Sequence, residues 1–343
     1  MKQKLIFLTL IFIFATFVVS CDSDNPQPTA KEDIYVAGYK DNEHDIPVAK
    51  YWKNGVAINL TNGNNYAYAT SITVVDNDVY VAGQEFNGNV YVAKYWKNGT
   101  EVNLTNGQQS SYARSIKVVN GDVYVAGDEF NGSNYVAKYW KNNVGVNLSN
   151  GLNSASASSI AVVNNDIYVA GNETNNVATV AKYWKNGNEV ILSNNLQSPS
   201  YAVAESIFVV DNDVHIVGYN MENMKSTAKY WRNGTEINLS NAKIAFARHI
   251  TISNNNIYIA GYESNNNKIT ATYWMNDTAN RLSDGTKQTR LYSIAVIDND
   301  IYAAGIEEDN NIFIAKYWKN GSEVKLTNGA HNAEITSIDV VKH

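Results

Sequence analysis

Cysteine is nearly absent from this chain. Cys21 is the only one in 343 residues, so no disulfide can close within the molecule and the fold must hold by other means. Proline is sparse, four in all, and two of those stand at positions 26 and 28. Cations never cluster: 27 Lys and Arg are spread among 33 Asp and Glu, a net charge of −6. Affinity for a phosphate backbone rests on clustered Lys and Arg, which argues against nucleic acid as a partner. The histidines (His44, His215, His249, His331, His343) are scattered, with no His-x-x-x-His, no cysteine cluster and no glycine-rich phosphate loop. Zinc, nucleotide and other cofactor readings therefore have no ligand set to stand on. A long apolar run is missing too. The one candidate, 5–19, has 15 residues, short of the roughly 20 that a membrane span needs.

What the N-terminus does have is a processing signal. Lys2 and Lys4 precede the short apolar run, the order of a secretory signal, and "VVSC" closes it at Cys21. This stretch resembles the lipobox of bacterial lipoproteins. The resemblance implies cleavage after residue 20 and acylation of Cys21, which would explain a lone thiol in an exported chain. Residues 21–32 follow as a lipidated cysteine and polar tether, with no apolar periodicity. Acidic residues directly after the cysteine resemble the surface-export signals of Bacteroidota lipoproteins. Localisation at the cell envelope, anchored to the outer membrane by lipid alone and exposed at the surface, is the expectation. Loss of residues 1–20 removes two lysines and leaves 25 cations against 33 anions, a net charge of −8.

The rest of the chain is a repeat. "AKYWKNG" at 49–55 returns with small changes at 93, 137, 181, 228, 271 and 315, and all seven tryptophans sit in it. Units begin near Asp33, Asp78, Asp122, Asp166, Asp213, Asn256 and Asp300, spaced 45, 44, 44, 47, 43 and 44 residues apart. A period near 44 is that of four-stranded propeller blades. In the second unit "SITVV" (71–75), "DVYVAG" (78–83), "VYVAKYW" (90–96) and "EVNL" (101–104) read as strands. They are short, β-branched and bounded by Asn, Asp and Gly. Asn-Gly and Asp-Asn links supply the positive φ that type I′ hairpins require, so the Asp-Asn-Asp runs read as turn chemistry and not as calcium ligands. A turn at Asn87-Gly88 predicts that Tyr80 faces Tyr95, Val79 faces Trp96 and Val81 faces Lys94. Blades pack on both faces, so the Tyr face and the Trp face are both predicted as contacts between blades. The first unit lacks an "SIxVV" strand, and the chain ends on one, "TSIDVVKH" (336–343). Residues 33–343 are thus expected to be all-β: a seven-bladed β-propeller with four antiparallel strands per blade, its first blade closed by N- and C-terminal strands.

The pattern A-x-S-I-x-V-V-x-x-x-V-Y-V-A-G … A-K-Y-W-K-N-G-x-x-V-x-L resembles bacterial HAF-type repeats and, more loosely, kelch repeats. It has one Gly where kelch has two, and it lacks the WD signature. The resemblance implies a propeller with "SIxVV" innermost. It implies no activity, since propellers host many functions.

Variable loops on a repeated frame are where function concentrates. The residue before each inner-strand Ser (His249 in one unit) is Thr70, Arg114, Ser158, Glu205, Arg248, Tyr292 or Thr336, a set expected to ring the channel mouth. Nearby loops add Tyr66, Tyr68, Tyr112, Tyr201 and Phe246, and the "AG" loops add Glu85, Phe86, Glu129, Phe130, Tyr262 and Glu263. From these, Arg114, Glu205, Arg248, Tyr292, Tyr112 and Tyr68 are the candidate ligand-binding residues. No acid–base pair stands out, so no catalytic residue is nominated. The expectation is a monomeric, non-catalytic envelope protein that recognises a glycan, or an envelope or host protein, through this rim. The alternatives are an accessory subunit of an outer-membrane complex and a glycan-active lyase or hydrolase.

Overall fold

The computed structural model describes residues 32–193, 200–265 and 268–343; the expected signal and Cys21 lie outside the described residues. Glu32–His343 is one compact unit, and no helix occurs among the described residues. Strands follow one plan. The second unit is β4 (Ala67–Val75), β5 (Asp78–Phe86), β6 (Tyr91–Lys97) and β7 (Thr100–Asn103), an antiparallel meander in that order. The first is β1 (Glu32–Asp41), β2 (Pro47–Lys53) and β3 (Val56–Asn59), to which the C-terminal strand Ala333–Lys342 adds by pairing along β1. Similar meanders cover 111–147 and 288–325. Those at 155–191, 200–238 and 244–281 are joined into one twelve-stranded sheet by parallel contacts as short as the single pair Ser226–Ile244. The fold is all-β and propeller-like.

Turn residues set these hairpins. Asp76 and Asn77 (φ 51° and 69°) and Asn98 and Gly99 (φ 51° and 81°) each place two successive residues in the left-handed region, as a type I′ turn demands. The β5–β6 connection departs from the expected one. It is a four-residue loop in which Asn87 Oδ1 accepts from the N–H groups of Asn89 (3.0 Å) and Val90 (2.9 Å). This side-chain turn widens the link, and the register moves by two: Trp96 faces Val81, Tyr95 faces Ala82 and Lys97 faces Tyr80. The predicted pairs were therefore wrong, while the faces survive, because a shift of two preserves the alternation of side chains.

Packing explains the repeated phrase. The seven tryptophans are 0–2% exposed, each wedged against the preceding unit. Trp96 joins Tyr35, Ala37, Tyr51 and Ile72, whereas Tyr80 and Tyr95 on the opposite face join Ile116, Val125 and Trp140 of the next unit. The last unit meets the first in the same way, with Trp52 and Val36 against Tyr302 and Tyr317. Asp78 Oδ1 accepts from Asn98 Nδ2 (2.7 Å), Asn98 Oδ1 accepts from Val79 N–H (2.9 Å), and Lys97 Nζ pairs with Asp78 Oδ2 (2.8 Å). The Asp, Lys and Asn of the repeat thus lock the outer hairpin to the second strand.

Candidate functional site

Each innermost strand carries one extra residue. The register between inner and second strands slips between Ala69 and Ser71, and again at the matching point of each unit. The bulged residues are Thr70, Arg114, Ser158, Glu205, Arg248, Tyr292 and Thr336. A β-bulge frees a side chain from the pleat and re-aims it. Here it turns all seven into a cavity of about 750 Å³ lined by the innermost strands of every unit. The glycine of "VYVAG" makes the bulge sterically possible: a Cβ on Gly83 would lie 2.0 Å from Tyr68 O.

The structure brings Arg114, Glu205, Arg248 and Tyr292 together at this cavity, as expected, but their charges are largely spoken for. Arg114 Nε donates to Oδ1 of Asp128 at 2.7 Å, and Asp128 is 2% exposed. Ser156 Oγ donates to the same oxygen (2.8 Å). Arg248 Nη1 donates to Glu205 Oε1 at 2.5 Å and Nη2 to Tyr262 OH at 3.0 Å. Its guanidinium carbon lies 5.2, 5.4 and 5.6 Å from the ring centres of Phe246, Tyr219 and Tyr262, within cation–π range. Two of the bulged hydroxyls are also committed. Thr70 Oγ1 donates to Ala113 O (2.7 Å) and Thr336 Oγ1 to Ala69 O (2.9 Å), each reaching the following unit.

Tyr68 and Tyr112 do not line the cavity. They belong to a strip of rings beside it that runs Tyr39, Tyr68, Tyr91, Tyr112, Tyr135, with centroid steps of 4.9, 6.2, 5.7 and 5.8 Å. Phe86 and Phe130 flank it at 5.5 and 5.3 Å. Tyr112 connects strip and cavity through Arg114, whose guanidinium lies 5.6 Å from its ring. A second group, Tyr201, Tyr219, Phe246 and Tyr262, surrounds Arg248. Tyr66 and Tyr201 are exposed at 46% and 40%. Burial pushes the Tyr68 and Tyr112 phenols up to about 12 and raises those of Tyr39, Tyr219 and Tyr292, so all are neutral hydroxyls near pH 7. Burial likewise raises the Glu334 carboxyl at the cavity wall.

Three carboxylates expected at the rim do other work. Glu85 and Glu129 pair with Lys94 (2.7 Å) and Lys138 (2.5 Å). Glu263 accepts from Arg281 (2.6 Å) and Ser240 (2.7 Å). Conversely, Tyr39, Asp128 and Tyr219 were missed. All three occupy the column just after the repeat glycine, read Tyr39, Gln84, Asp128, Asn172, Tyr219, Tyr262 and Ile306, and that column could have flagged them.

Deeper in the cavity a ring of backbone donors binds unit to unit. Ser71 Oγ accepts from Ile116 N–H (3.3 Å), Ser115 from Ile160, Ser159 from Ile207, Ser206 from Ile250, Ser293 from Ile338 and Ser337 from Ile72. His249 replaces serine in the remaining position, and its Nδ1 accepts from Ile294 N–H at 3.4 Å. His249 is thus a frame residue. Its pKa is held down to about 4 by burial and by nearby Lys117, which keeps the ring neutral and able to accept.

No family model matches the sequence, and no curated protein matches it. In fold, the chain is similar to an acylaminoacyl peptidase from Pyrococcus horikoshii, with a TM-score of 0.51 and 12% identity over 88% of this chain and 52% of that one. TolB from Acinetobacter baumannii scores 0.49 at 8% identity, over 88% and 83% of the two chains. Hydrazine synthase from Kuenenia stuttgartiensis scores 0.48 at 11% identity, over 91% and 47%. This chain spans about half the length of the peptidase. At such identities the likeness concerns the fold alone.

Proposed function

We propose that this protein is a lipid-anchored recognition module of the bacterial envelope, a closed seven-bladed propeller that binds a glycan through the rim of its central cavity. The observation that carries the reading is the asymmetry of that rim. The strands repeat almost residue for residue, yet the bulged positions carry five different residue types over seven units, with only Thr and Arg used twice, and aromatic rings gather on two sectors beside them. A repeat that served packing alone would have no reason to vary there. Neutral tyrosine hydroxyls and ring faces, with two guanidinium–carboxylate pairs between them, suit a ligand rich in hydroxyl groups. Seven matching interfaces, including the one between the last unit and the first, support the blade count. Anchorage through Cys21 rests on the lipobox resemblance, and the outer face of the outer membrane on the acidic residues after it.

The ion pairs decide how to test this. Arg114→Ala would leave Asp128 buried without its cation, a defect expected to cost about 3–5 kcal/mol, so lost binding could be lost folding. Arg114→Lys with Tyr292→Phe and Tyr201→Ser keeps the charge balance. Calorimetry of the parent against purified envelope polysaccharides, peptidoglycan and chondroitin sulfate should find a ligand that the triple variant binds at least about tenfold more weakly, a loss of ~1.4 kcal/mol, with melting unchanged. Equal binding by both proteins would rule out the rim.

A second reading has one observation behind it. The outer strands expose Val56, Val144, Val146, Val190, Ile191, Ile237 and Val324, an aliphatic edge that a partner protein could cover. Capture of the chain in a stable outer-membrane complex, with no polysaccharide bound, would favour it.

A further inference from the structure

The lysine of "AKYW" is buried in most units, and its charge is met there by carboxylates. Lys94 lies 2.7 Å from Glu85 on the second strand and 2.9 Å from Glu101 on the outer strand. Lys182 (with Glu173 and Glu189) and Lys316 (with Glu307 and Glu323) repeat the arrangement. Lys138 and Lys229 keep one partner each, Glu129 and Glu236. Where the sixth unit has Thr272, the carboxylate Glu263 pairs with Arg281 instead.

The first unit breaks this rule in both places. Lys50 is 9% exposed. The second-strand carboxylate is replaced by Lys40, and Ala57 stands where Glu101, Glu189, Glu236 and Glu323 stand elsewhere. Lys40 pairs with Val48 and Gly38 with Lys50 across β1 and β2, which makes the two lysines diagonal neighbours on one face, about 7–8 Å apart at the backbone. Among the described residues no carboxylate forms an ion pair with either. Asp41, adjacent in sequence, belongs to the other face of β1 by strand alternation, and its backbone N–H donates to Asn332 O at 2.9 Å. Burial, and then Lys40, hold the Lys50 ammonium below its ordinary pKa.

A buried cation beside a second cation is unfavourable unless an anion completes it. The other units define what would complete it. In the fifth, the outer-strand Glu236 is bracketed by Lys229 Nζ and by Trp231 Nε1, which donates at 3.2 Å. Lys50 and Trp52 are the equivalent donors, and the exposed Ala57 leaves the approach from solvent short of a side chain. We propose that the outer edge of the first unit is a carboxylate-binding site, in which Lys50, Lys40 and Trp52 receive a carboxylate from a ligand in the position the outer-strand glutamates hold elsewhere. The carboxylate could arrive as a free small acid or on an acidic peptide.

The test uses the full chain, titrated with sodium acetate or with triglutamate against sodium chloride at matched ionic strength. The readouts are melting temperature and the rate of Lys50 acylation by a water-soluble amine reagent, followed by mass spectrometry. A carboxylate that raises the Lys50 pKa by about one unit should slow acylation about tenfold near neutral pH, and it should raise the melting temperature. Ala57→Glu should melt higher than the parent and show slow acylation without any added acid. Lys50→Met should fold and lose the acetate effect on melting. Protection by triglutamate but not acetate would assign the site to peptides, and protection by both to small acids as well. Equal protection by chloride, or acetate protection that persists in Ala57→Glu, would overturn the proposal. Neither result bears on the cavity rim, so the two readings stand or fall separately.

Discussion

Gly83 and its counterparts sit where a methyl group would strike the backbone of the inner strand. The required Cβ would lie 1.9–2.0 Å from a carbonyl oxygen in all seven units, and that oxygen cannot swing away as a flexible side chain could. Gly83→Ala should therefore destabilise by about 2–3 kcal/mol, and the bulge at Thr70 should lose its geometry with it. Urea unfolding of the variant beside Gly88→Ala would check this, although Gly88 has a cost of its own because its φ is 97°. A Gly83→Ala protein as stable as the parent would mean that the bulge is not forced by that contact. Residue identity at this column was legible in the sequence as a repeated Gly. Its reason was not, because the clash is with a strand about 15 residues upstream whose slip is invisible in the repeat.

At the scale of the element, one hydrogen bond of the same kind recurs at every inner-strand interface, and the histidine unit makes that bond sensitive to pH. The sign follows from the shift. The folded pKa of His249, about 4, lies below the unfolded value near 6.5. Its contribution is therefore fully present above pH 6.5 and is lost as pH falls from 6.5 towards 4. His249→Ser restores the acceptor that six other units use and removes the titration. The variant should melt less steeply with acid over that window than the parent, while the two converge above pH 7. Identical pH profiles would show that His249 does not titrate on unfolding. Strand pairing shows how far element-level reasoning reached: the faces and the turns at Asp76-Asn77 and Asn98-Gly99 followed from alternation and from Asn-Gly chemistry, but the β5–β6 turn and its register did not. It depended on Asn87 accepting two backbone hydrogen bonds and so lengthening one loop.

At the scale of the molecule, the C-terminal strand carries more than one contact. Ala333–Lys342 pairs along most of β1. It also packs Ile335 and Ile338 into the cluster with Trp52 and Tyr302, and it supplies the Ser337 hydroxyl that Ile72 N–H needs. Removing residues 333–343 would expose the long edge of β1 and open the interface between the last unit and the first. Exposed edges of this kind invite association. The truncated chain should aggregate or unfold without a single cooperative transition, as seen by light scattering and circular dichroism. A soluble monomer with the parent's melting temperature would show that this strand is dispensable and that the order of contacts does not close.

The sequence by itself determined the repeat, the four-strand plan, the two-residue turns such as Asp76-Asn77 and Asn98-Gly99, and the use of the C-terminus to complete the first unit. All but the last depend on interactions within one unit and recur seven times, so the pattern of one unit is checked by the others, while the closing strand showed itself as the one piece the first unit lacks and the chain's end supplies. Only the tertiary structure decided which side chains meet across unit boundaries. Arg248 finds Glu205 43 positions away, His249 accepts from Ile294 45 positions away, and Ala57 matters only because it stands beside a buried Lys50. Charge compensation and packing act through distance in space, and stacking the units around a common axis sets distances that no spacing along the chain records.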